Sequence, residues 1–288
     1  MKRVACWLLS LSIPALALAA EPQVEGSMLV TGTITVNPQG GVRSYSVQGL
    51  DKLPPAVRQI IKTTVSGWQF VPIMADGKAV TAKAGMSLRI VADMIDRTHA
   101  TIRVAGAEFG CDARPRSNLP GECPAGTAVR YAHRVSPSYP MDAAQAHVGG
   151  QVFLVLKIGR DGHVAQAAVR QVNLYSRTDW PDHYREDLAE ASLRAAQKWQ
   201  FSVPTQGPNA AKDYWVVQVP VNYTLGPCCA APVRRNGQWT AYIPGPVQNI
   251  PWAHDHAGGS GDAVADNGQP FTRDPRFVLE TKLGGGAG

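Results

Sequence analysis

The fold is decided by residues 151–172, which read QVFLVLKIGRDGHVAQAAVRQV. Apolar side chains occupy every second position at the start of this stretch, at Val152, Leu154, Leu156 and Ile158. A period of two is typical of a β-strand with one buried face. Arg160–His163 contains an Asp-Gly pair, which tolerates the positive φ of a tight turn, and Val164–Val172 can return as a second strand. The stretch therefore predicts a β-hairpin.

A second hairpin with the same pattern lies earlier in the chain. Its first strand contains Val30, Gly32, Ile34 and Val36, its turn is Pro38–Gly41, and its second strand is Val42–Val47. The two hairpins align without a gap at an offset of 122 residues. This alignment predicts an internal repeat.

A helix with one apolar face is predicted after each hairpin. The first begins at Pro54-Pro55, where a missing N–H is tolerated, and its apolar face is formed by Val57, Ile60, Ile61, Thr64 and Val65. The second runs over about Arg185–Gln200, with one face formed by Leu188, Ala191, Ser192, Ala195 and Trp199.

The same aromatic phrase closes both helices, as Trp68-Gln69-Phe70 and as Trp199-Gln200-Phe201. Both tryptophans lie beside an apolar face, so we expect them to be core residues. A last strand is predicted at Met86–Val91 in the first half and at Trp215–Leu225 in the second. The order of elements in each half is therefore β-β-α-β.

The first twenty residues have the three parts of a secretory signal peptide. Lys2 and Arg3 precede the apolar run Ala5–Leu18, and Ala17-Leu18-Ala19 supplies small residues before Glu21. The alternative is a retained membrane anchor, but the run is shorter than the ~20 residues that cross a bilayer. We expect cleavage and a periplasmic location, with an inner-membrane anchor as the alternative.

Composition divides the chain further. We expect a signal peptide at 1–20, a first unit at 21–95, a cysteine-containing linker at 96–130, a second unit at 131–226 and a C-terminal extension at 227–288. Within the linker, Ala100–Val104 is compatible with a short strand. In the extension, Trp239, Tyr242 and Trp252 predict a packed segment. From about His254, Gly, Ala, Asp and Asn predict a mobile tail.

Four cysteines remain after the predicted cleavage, because Cys6 leaves with the signal. An even number in an oxidising compartment favours two disulfides drawn from Cys111, Cys123, Cys228 and Cys229. We favour a Cys111–Cys123 loop, and other pairings stay open. A zinc site is the alternative, but the spacing from Cys228-Cys229 to His254 and His256 fits no ordinary zinc pattern.

Charge and motifs argue against several functional classes. The formal net charge is +6, but the basic residues are scattered and no nucleic-acid-binding motif accompanies them. Catalytic motifs of hydrolases, metalloproteases and phosphate-binding enzymes are absent from the sequence. We therefore expect a non-enzymatic protein with no cofactor, no bound metal and no small-molecule substrate.

Four signals in the second half together resemble the TonB C-terminal domain family. They are Ser136-Pro137-Ser138-Tyr139-Pro140 with Ala143-Ala144, Gly149-Gly150-Gln151-Val152, Asp161-Gly162-His163-Val164, and Trp199-Gln200-Phe201. The resemblance covers about Val135–Leu225. The first half, about Met28–Ala92, resembles the same family more loosely and lacks the Tyr-Pro segment.

The resemblance implies an α+β fold in which each unit is a three-stranded antiparallel sheet with one helix packed on it. It also implies binding to an outer-membrane transporter or another envelope protein by addition of a partner strand to a sheet edge. We expect that edge within Tyr214–Tyr223, where Pro220 suits an edge position. The expected partner-binding residues are Ser136, Tyr139, Trp180, Tyr214, Trp215, Val217, Val219 and Tyr223.

Two departures from the family bear on function. The energy transducers of this family keep an inner-membrane helix and a long Pro-rich spacer, and neither is predicted from this sequence. They also carry Gln at the position where this chain has Ser136. The segment Tyr175–Tyr184, with Trp180, is an insertion that could set a distinct partner. Three hypotheses follow: a soluble TonB-like periplasmic adaptor, a structural envelope module without a transport role, or a membrane-anchored transducer whose first segment is retained.

Overall fold

The computed structural model describes residues 24–94, 99–113, 123–207, 209–225, 236–256, 263–264 and 269–283. The predicted signal peptide at 1–20 lies outside these residues, and so do Cys228 and Cys229. Within them, all strands pair antiparallel and a few helices pack on the sheets, which confirms the predicted α+β class.

The described residues form three α-helices: α1 (Pro55–Ser66), α2 (Met141–Gln145) and α3 (Pro181–Ala196). Their strands are β1 (Glu25–Val36), β2 (Val42–Val47), β3 (Met74–Ala75), β4 (Lys78–Ala79), β5 (Ala82–Met94), β6 (Ala100–Phe109), β7 (Arg130–His133), β8 (Gly150–Gly159), β9 (Val164–Leu174), β10 (Gln200–Ser202), β11 (Tyr214–Tyr223) and β12 (Trp239–Tyr242).

The second unit is a three-stranded antiparallel sheet in the order β11-β8-β9, with α3 packed across one face. Because successive side chains of a strand point to opposite faces, Val152, Leu154, Leu156 and Ile158 all enter one core. That core also contains Leu188 of α3 and Trp199, as the period-two and helical patterns predicted.

Helix α3 begins at Pro181, four residues before the predicted start at Arg185. Proline suits the first turn because its missing N–H would have no partner there. Pro181–Tyr184 is therefore the opening turn of the helix rather than part of an insertion, and Trp180 is its N-cap residue.

The first unit repeats this arrangement in the order β2-β1-β5, with α1 buried against the sheet through Val57, Ile61 and Val65. Its sheet has five strands, however, so the prediction of three is wrong for this unit. Strand β6 pairs with β5 from Met86↔Phe109 to Met94↔Ala100. The predicted linker at 96–130 therefore supplies a full strand, longer than the Ala100–Val104 expected.

The C-terminal extension supplies the fifth strand and then covers the second unit. Strand β12 pairs with the first residues of β1, and the next residue, Ile243, pairs with Leu174 of β9. The following segment crosses the face of the second sheet opposite α3, where Ile250 and Ala253 pack against Val155. Trp252 therefore packs on the preceding unit as predicted, whereas Trp239 and Tyr242 lie in β12, which pairs with the first unit.

The prediction of a mobile tail from about residue 254 is wrong for residues 269–283. Phe277 lies in the core of the first unit, and Leu279 forms a β-bridge with Phe70. The composition from about residue 254 suggested mobility because Gly, Ala, Asp and Asn dominate it. Phe271 and Phe277 of this stretch are nevertheless buried.

None of the helices in the described part of the chain is both long enough and apolar enough to cross a membrane.

Candidate partner-binding edge

Strand β11 forms one edge of the second sheet, because β8 pairs along one of its sides from Tyr214↔Gly159 to Tyr223↔Gly150. Residues two apart in a strand direct their backbone groups to the same side. The groups of Gln218 point away from β8, since they bond another segment. Those of Tyr214, Val216, Pro220 and Asn222 therefore point outward as well.

Pro220 fits this orientation. Proline has no N–H to donate. Because the nitrogen of Pro220 points away from β8, the missing N–H costs no hydrogen bond between β11 and β8. The proline that suggested an edge strand in the sequence therefore also identifies which residues of β11 face a partner with their backbone.

The structure corrects the expected side-chain contacts of β11. Trp215, Val217, Val219 and Tyr223 are all buried in the core beneath α3 and so cannot reach a partner with their side chains. The Tyr223 hydroxyl forms a hydrogen bond of 2.8 Å with the Ser192 hydroxyl. Burial raises the pKa of the Tyr223 phenol, although the bond from Ser192 opposes that shift.

Tyr214 is the predicted strand residue that does present its side chain. It is 46% exposed, and the Lys157 ammonium lies 4.1 Å from the centre of its ring. That distance allows a cation–π contact, which holds the ring beside the outward-facing backbone.

The middle of the edge is occupied by the chain's own C-terminal segment. The Gln218 amide donates to the Phe271 carbonyl at 2.9 Å, and the Phe271 amide donates back to the Gln218 carbonyl at 2.8 Å. Phe271 is 2% exposed and packs with Ala113 and Val264. On either side of this bridge, the outward backbone groups of Tyr214, Val216 and Pro220 bond no other described residue.

Two residues beyond Phe271, Arg273 binds a buried carboxylate of the first unit. Its Nε lies 2.8 Å from Oε2 of Glu108 and its Nη2 lies 2.6 Å from Oε1. Glu108 is 1% exposed, and the Gln218 side-chain amide approaches the same carboxylate at 3.5 Å. Arg170 lies within electrostatic range of Glu108 and Arg273. Burial lowers the pKa of the Arg170 guanidinium, the negative charge of Glu108 opposes that shift, and the positive charge of Arg273 adds to it.

The equivalent edge of the first unit is filled. Thr33 pairs with Gly85 in β5, and the residue at the repeat offset, Val155, pairs with Gln218 in β11. Gly85 and Gln218 are therefore equivalent positions. The carbonyl of Gly85 accepts from the Gly110 amide at 3.1 Å, and strand β6 continues from there along β5. Phe271 bonds Gln218 at the position where Gly110 bonds Gly85 in the first unit. No described strand, however, continues from Phe271 along β11.

The Tyr-Pro segment packs against the second unit. The Tyr139 hydroxyl donates to the Val148 carbonyl at 2.9 Å, and its ring meets the Tyr223 ring edge-on. The Val135 carbonyl accepts a bond of 2.7 Å from the Trp199 indole. Ser136, between them in sequence, is exposed. These contacts favour an internal role for Tyr139 and leave Ser136 accessible.

Trp180 is 69% exposed and precedes α3 as its N-cap residue. It borders a cavity of about 460 Å³ between α2 and the start of α3, together with Asp142, His183 and Tyr184. Nε2 of His183 lies 3.5 Å from a carboxylate oxygen of Asp187 and 3.9 Å from one of Asp142. These contacts are ion pairs when the imidazole is protonated.

Two of the four cysteines that were expected to form disulfides lie within the described residues. Cys111 and Cys123 are paired, with their Cα atoms 4.9 Å apart, a separation usual for a disulfide. Cys228 and Cys229 lie outside the described residues.

Sequence reasoning missed Gln218, Glu108, Phe271 and Arg273. Glu108 and Arg273 lie in stretches predicted to be linker and mobile tail, and their pairing spans 165 residues. No local pattern reports such a contact. Gln218 could have been found, because the orientation that suits Pro220 is shared by the residue two positions earlier.

The comparisons with known proteins concern this same unit. Residues 135–225 match the family model for the C-terminal domain of the Gram-negative bacterial TonB protein. Two relatives named Protein TonB, from Xanthomonas campestris pv. campestris strains B100 and ATCC 33913, are 33% identical over 89 residues. That alignment covers 31% of this chain and 34% of each relative, so the chain spans about a third of their length. No solved structure matches the chain. Residues 135–225 belong to the TonB C-terminal domain family.

Proposed function

We propose that this chain is a periplasmic binding module whose strand β11 takes up an extended segment of an outer-membrane transporter or another envelope protein. The observation that carries the proposal is the state of the β11 edge: Phe271 bonds the outward groups of Gln218, and no described residue bonds those of Tyr214, Val216 and Pro220. A sheet edge with unpaired groups is the surface to which peptides add as strands.

The contrast between the two units supports this choice of surface. The chain covers the edge of β5 with β6, whereas the described bridge to the outer side of β11 is made at Gln218. Exposed edges invite unwanted pairing and are normally protected. In the first unit the edge of β5 is filled, whereas in the second unit the outward groups of Tyr214, Val216 and Pro220 have no described partner. This difference favours a binding role for the second unit. We regard the first unit as a looser copy of the same fold with a supporting role.

The role proposed is coupling by contact rather than catalysis. Backbone groups that pair with a strand need no reactive side chain, and the predicted cleavage of residues 1–20 would release the chain into the periplasm. N-terminal sequencing of exported protein tests this: a mature chain beginning at Ala20 or Glu21 supports release, and a retained Met1 supports an anchored transducer.

A structural role in the envelope is the second function we consider. It is favoured by the C-terminal extension, which joins the two units through β12 and through the contacts of Phe271 and Phe277. An extension that holds the two units together is consistent with a rigid structural module of the envelope. Such a module would not depend on the outward backbone groups of β11, so the two functions can be separated by experiment.

The experiment is capture of envelope proteins by two variants of the same residue. Val216→Pro removes an outward N–H donor while leaving the β8 side of the strand intact, as Pro220 already does. Val216→Ala keeps the N–H and trims the side chain, so it is the matched control. We expect the proline variant to lose partners that the wild-type and alanine proteins retain. Equal capture by all three proteins would overturn strand addition.

A further inference from the structure

We propose that residues 269–274 are a built-in ligand of the β11 edge, and that the partner segment which replaces them has the same chemistry. This inference rests on the proposed function and adds to it the nature of the partner. The partner would be an extended segment with a large aromatic residue opposite Gln218 and a basic residue two positions later, directed to Glu108.

Competition follows from where Phe271 lies. Gln218 is at the middle of β11, with the outward groups of Tyr214 and Val216 on one side and those of Pro220 on the other. A partner strand long enough to use both sides must also pair with Gln218. It therefore cannot bind while the Phe271 amide and carbonyl hold those two groups.

The aromatic requirement comes from the pocket that Phe271 fills. Its side chain is almost wholly buried against Ala113 and Val264, so removing it exposes apolar surface to water. A replacement segment restores the buried area only if it brings a side chain of similar size and character.

The basic residue is required by Glu108. This carboxylate is buried and is held by both arms of the Arg273 guanidinium. Leaving a buried charge without its partner is strongly unfavourable. Arg170 lies within electrostatic range, and Gln218 approaches at 3.5 Å, but among the described residues only Arg273 contacts both oxygens of Glu108. A partner that displaces residues 269–274 must therefore bring a cation of its own.

Displacement breaks the bonds that Arg273 makes to Glu108 and that the Asp274 amide donates to the Phe109 carbonyl, but a later anchor on the first unit remains. The chain turns at Pro275-Arg276, and beyond that turn the Val71 amide donates to the Val278 carbonyl at 2.9 Å. The Glu280 amide donates to the Gln69 carbonyl at the same distance, and Phe277 is buried in the core. These contacts anchor residues 277–280 while residues 269–274 leave the edge.

The test uses a fluorescent synthetic peptide of residues 267–276, NGQPFTRDPR, added to the full chain. We expect the Phe271→Ala protein to bind it at least ten times more tightly than the wild type, because its own segment has lost the buried aromatic side chain and competes less well. A peptide with glutamate in place of Arg273 should bind neither protein. Equal affinity for both proteins, or no binding to either, would overturn the inference.

A second measurement uses the wild-type protein, so its result does not depend on whether the Phe271→Ala variant folds. Amide hydrogen exchange should be at least ten times faster at Gln218, which bonds residue 271, than at Val219, which faces β8. Equal protection of the two amides would mean that the segment does not open. If the peptide fails to bind but Val216→Pro still abolishes capture, only this inference fails. If the peptide binds but Val216→Pro has no effect on capture, the proposed function fails.

Discussion

The Phe201 amide donates a hydrogen bond to the Gly162 carbonyl at 2.8 Å, joining the closing strand of the second unit to its hairpin turn. The first unit makes the same bond between Phe70 and Gly40 at 2.9 Å. Both glycines have positive φ, at 77° and 86°. The repeated turn and the repeated aromatic phrase therefore belong to one structural feature, which the chain contains twice.

We expect Gly162→Ala to be strongly destabilising. Its Cβ would lie 2.1 Å from the Phe201 carbonyl oxygen, and its φ lies in the left-handed region. Gly77→Ala is the matched control, because it has a similar φ of 74° and no atom within 4 Å of its added Cβ. The control should cost about 1–2 kcal/mol from backbone strain alone. Urea unfolding should show a larger loss for Gly162→Ala, and equal losses would contradict the close approach.

The two equivalent tryptophans should respond differently to replacement by phenylalanine. Both are buried, but the Trp199 indole N–H donates to the Val135 carbonyl, whereas that of Trp68 has no partner in the described part of the chain. Trp199→Phe should therefore lose about 1 kcal/mol more unfolding free energy than Trp68→Phe, the value of one hydrogen bond. Chemical denaturation of both variants measures the difference, and the reverse order would contradict it.

Tyr223 should make stability depend on alkaline pH. Burial raises its pKa above the ordinary value of 10.0. The stabilisation from its neutral hydroxyl is therefore complete below pH 10 and is lost as pH rises through the raised pKa. At pH 9, Tyr223→Phe should cost about 1 kcal/mol through loss of the bond to Ser192. At pH 11 that cost should shrink, and a cost that does not change with pH would contradict the raised pKa.

A disulfide between Cys111 and Cys123 is expected in the exported protein. Closing the loop between them would stabilise the chain by roughly 3 kcal/mol in the chain-entropy model. Mass spectrometry of the unreduced protein after alkylation should show this pair protected, and the Cys111→Ser/Cys123→Ser variant should unfold at lower urea concentration. Free thiols at both positions would contradict the pairing.

The sequence predicts local features of this fold well and long-range contacts poorly. Alternation over Val152–Ile158 and the repeated tryptophans depend on neighbouring residues, so the hairpins and helices could be predicted. The start of α3 was missed by four residues because Pro181 was assigned to an insertion. Strand β6 and residues 269–283 were missed because their stability comes from partners far along the chain. The edge strand could be inferred from Pro220, but its internal ligand could not.

The measurement that tests the central claim most directly is an amide titration of the isotopically labelled full chain. The probe is a synthetic peptide from the periplasmic N-terminal segment of an outer-membrane transporter of the source bacterium. Our account predicts that the amides of Tyr214, Val216 and Gln218 shift first and become protected from hydrogen exchange. Shifts confined to Tyr175–Tyr184 would contradict the account, because recognition would then lie at the surface around Trp180 and not at the edge of β11.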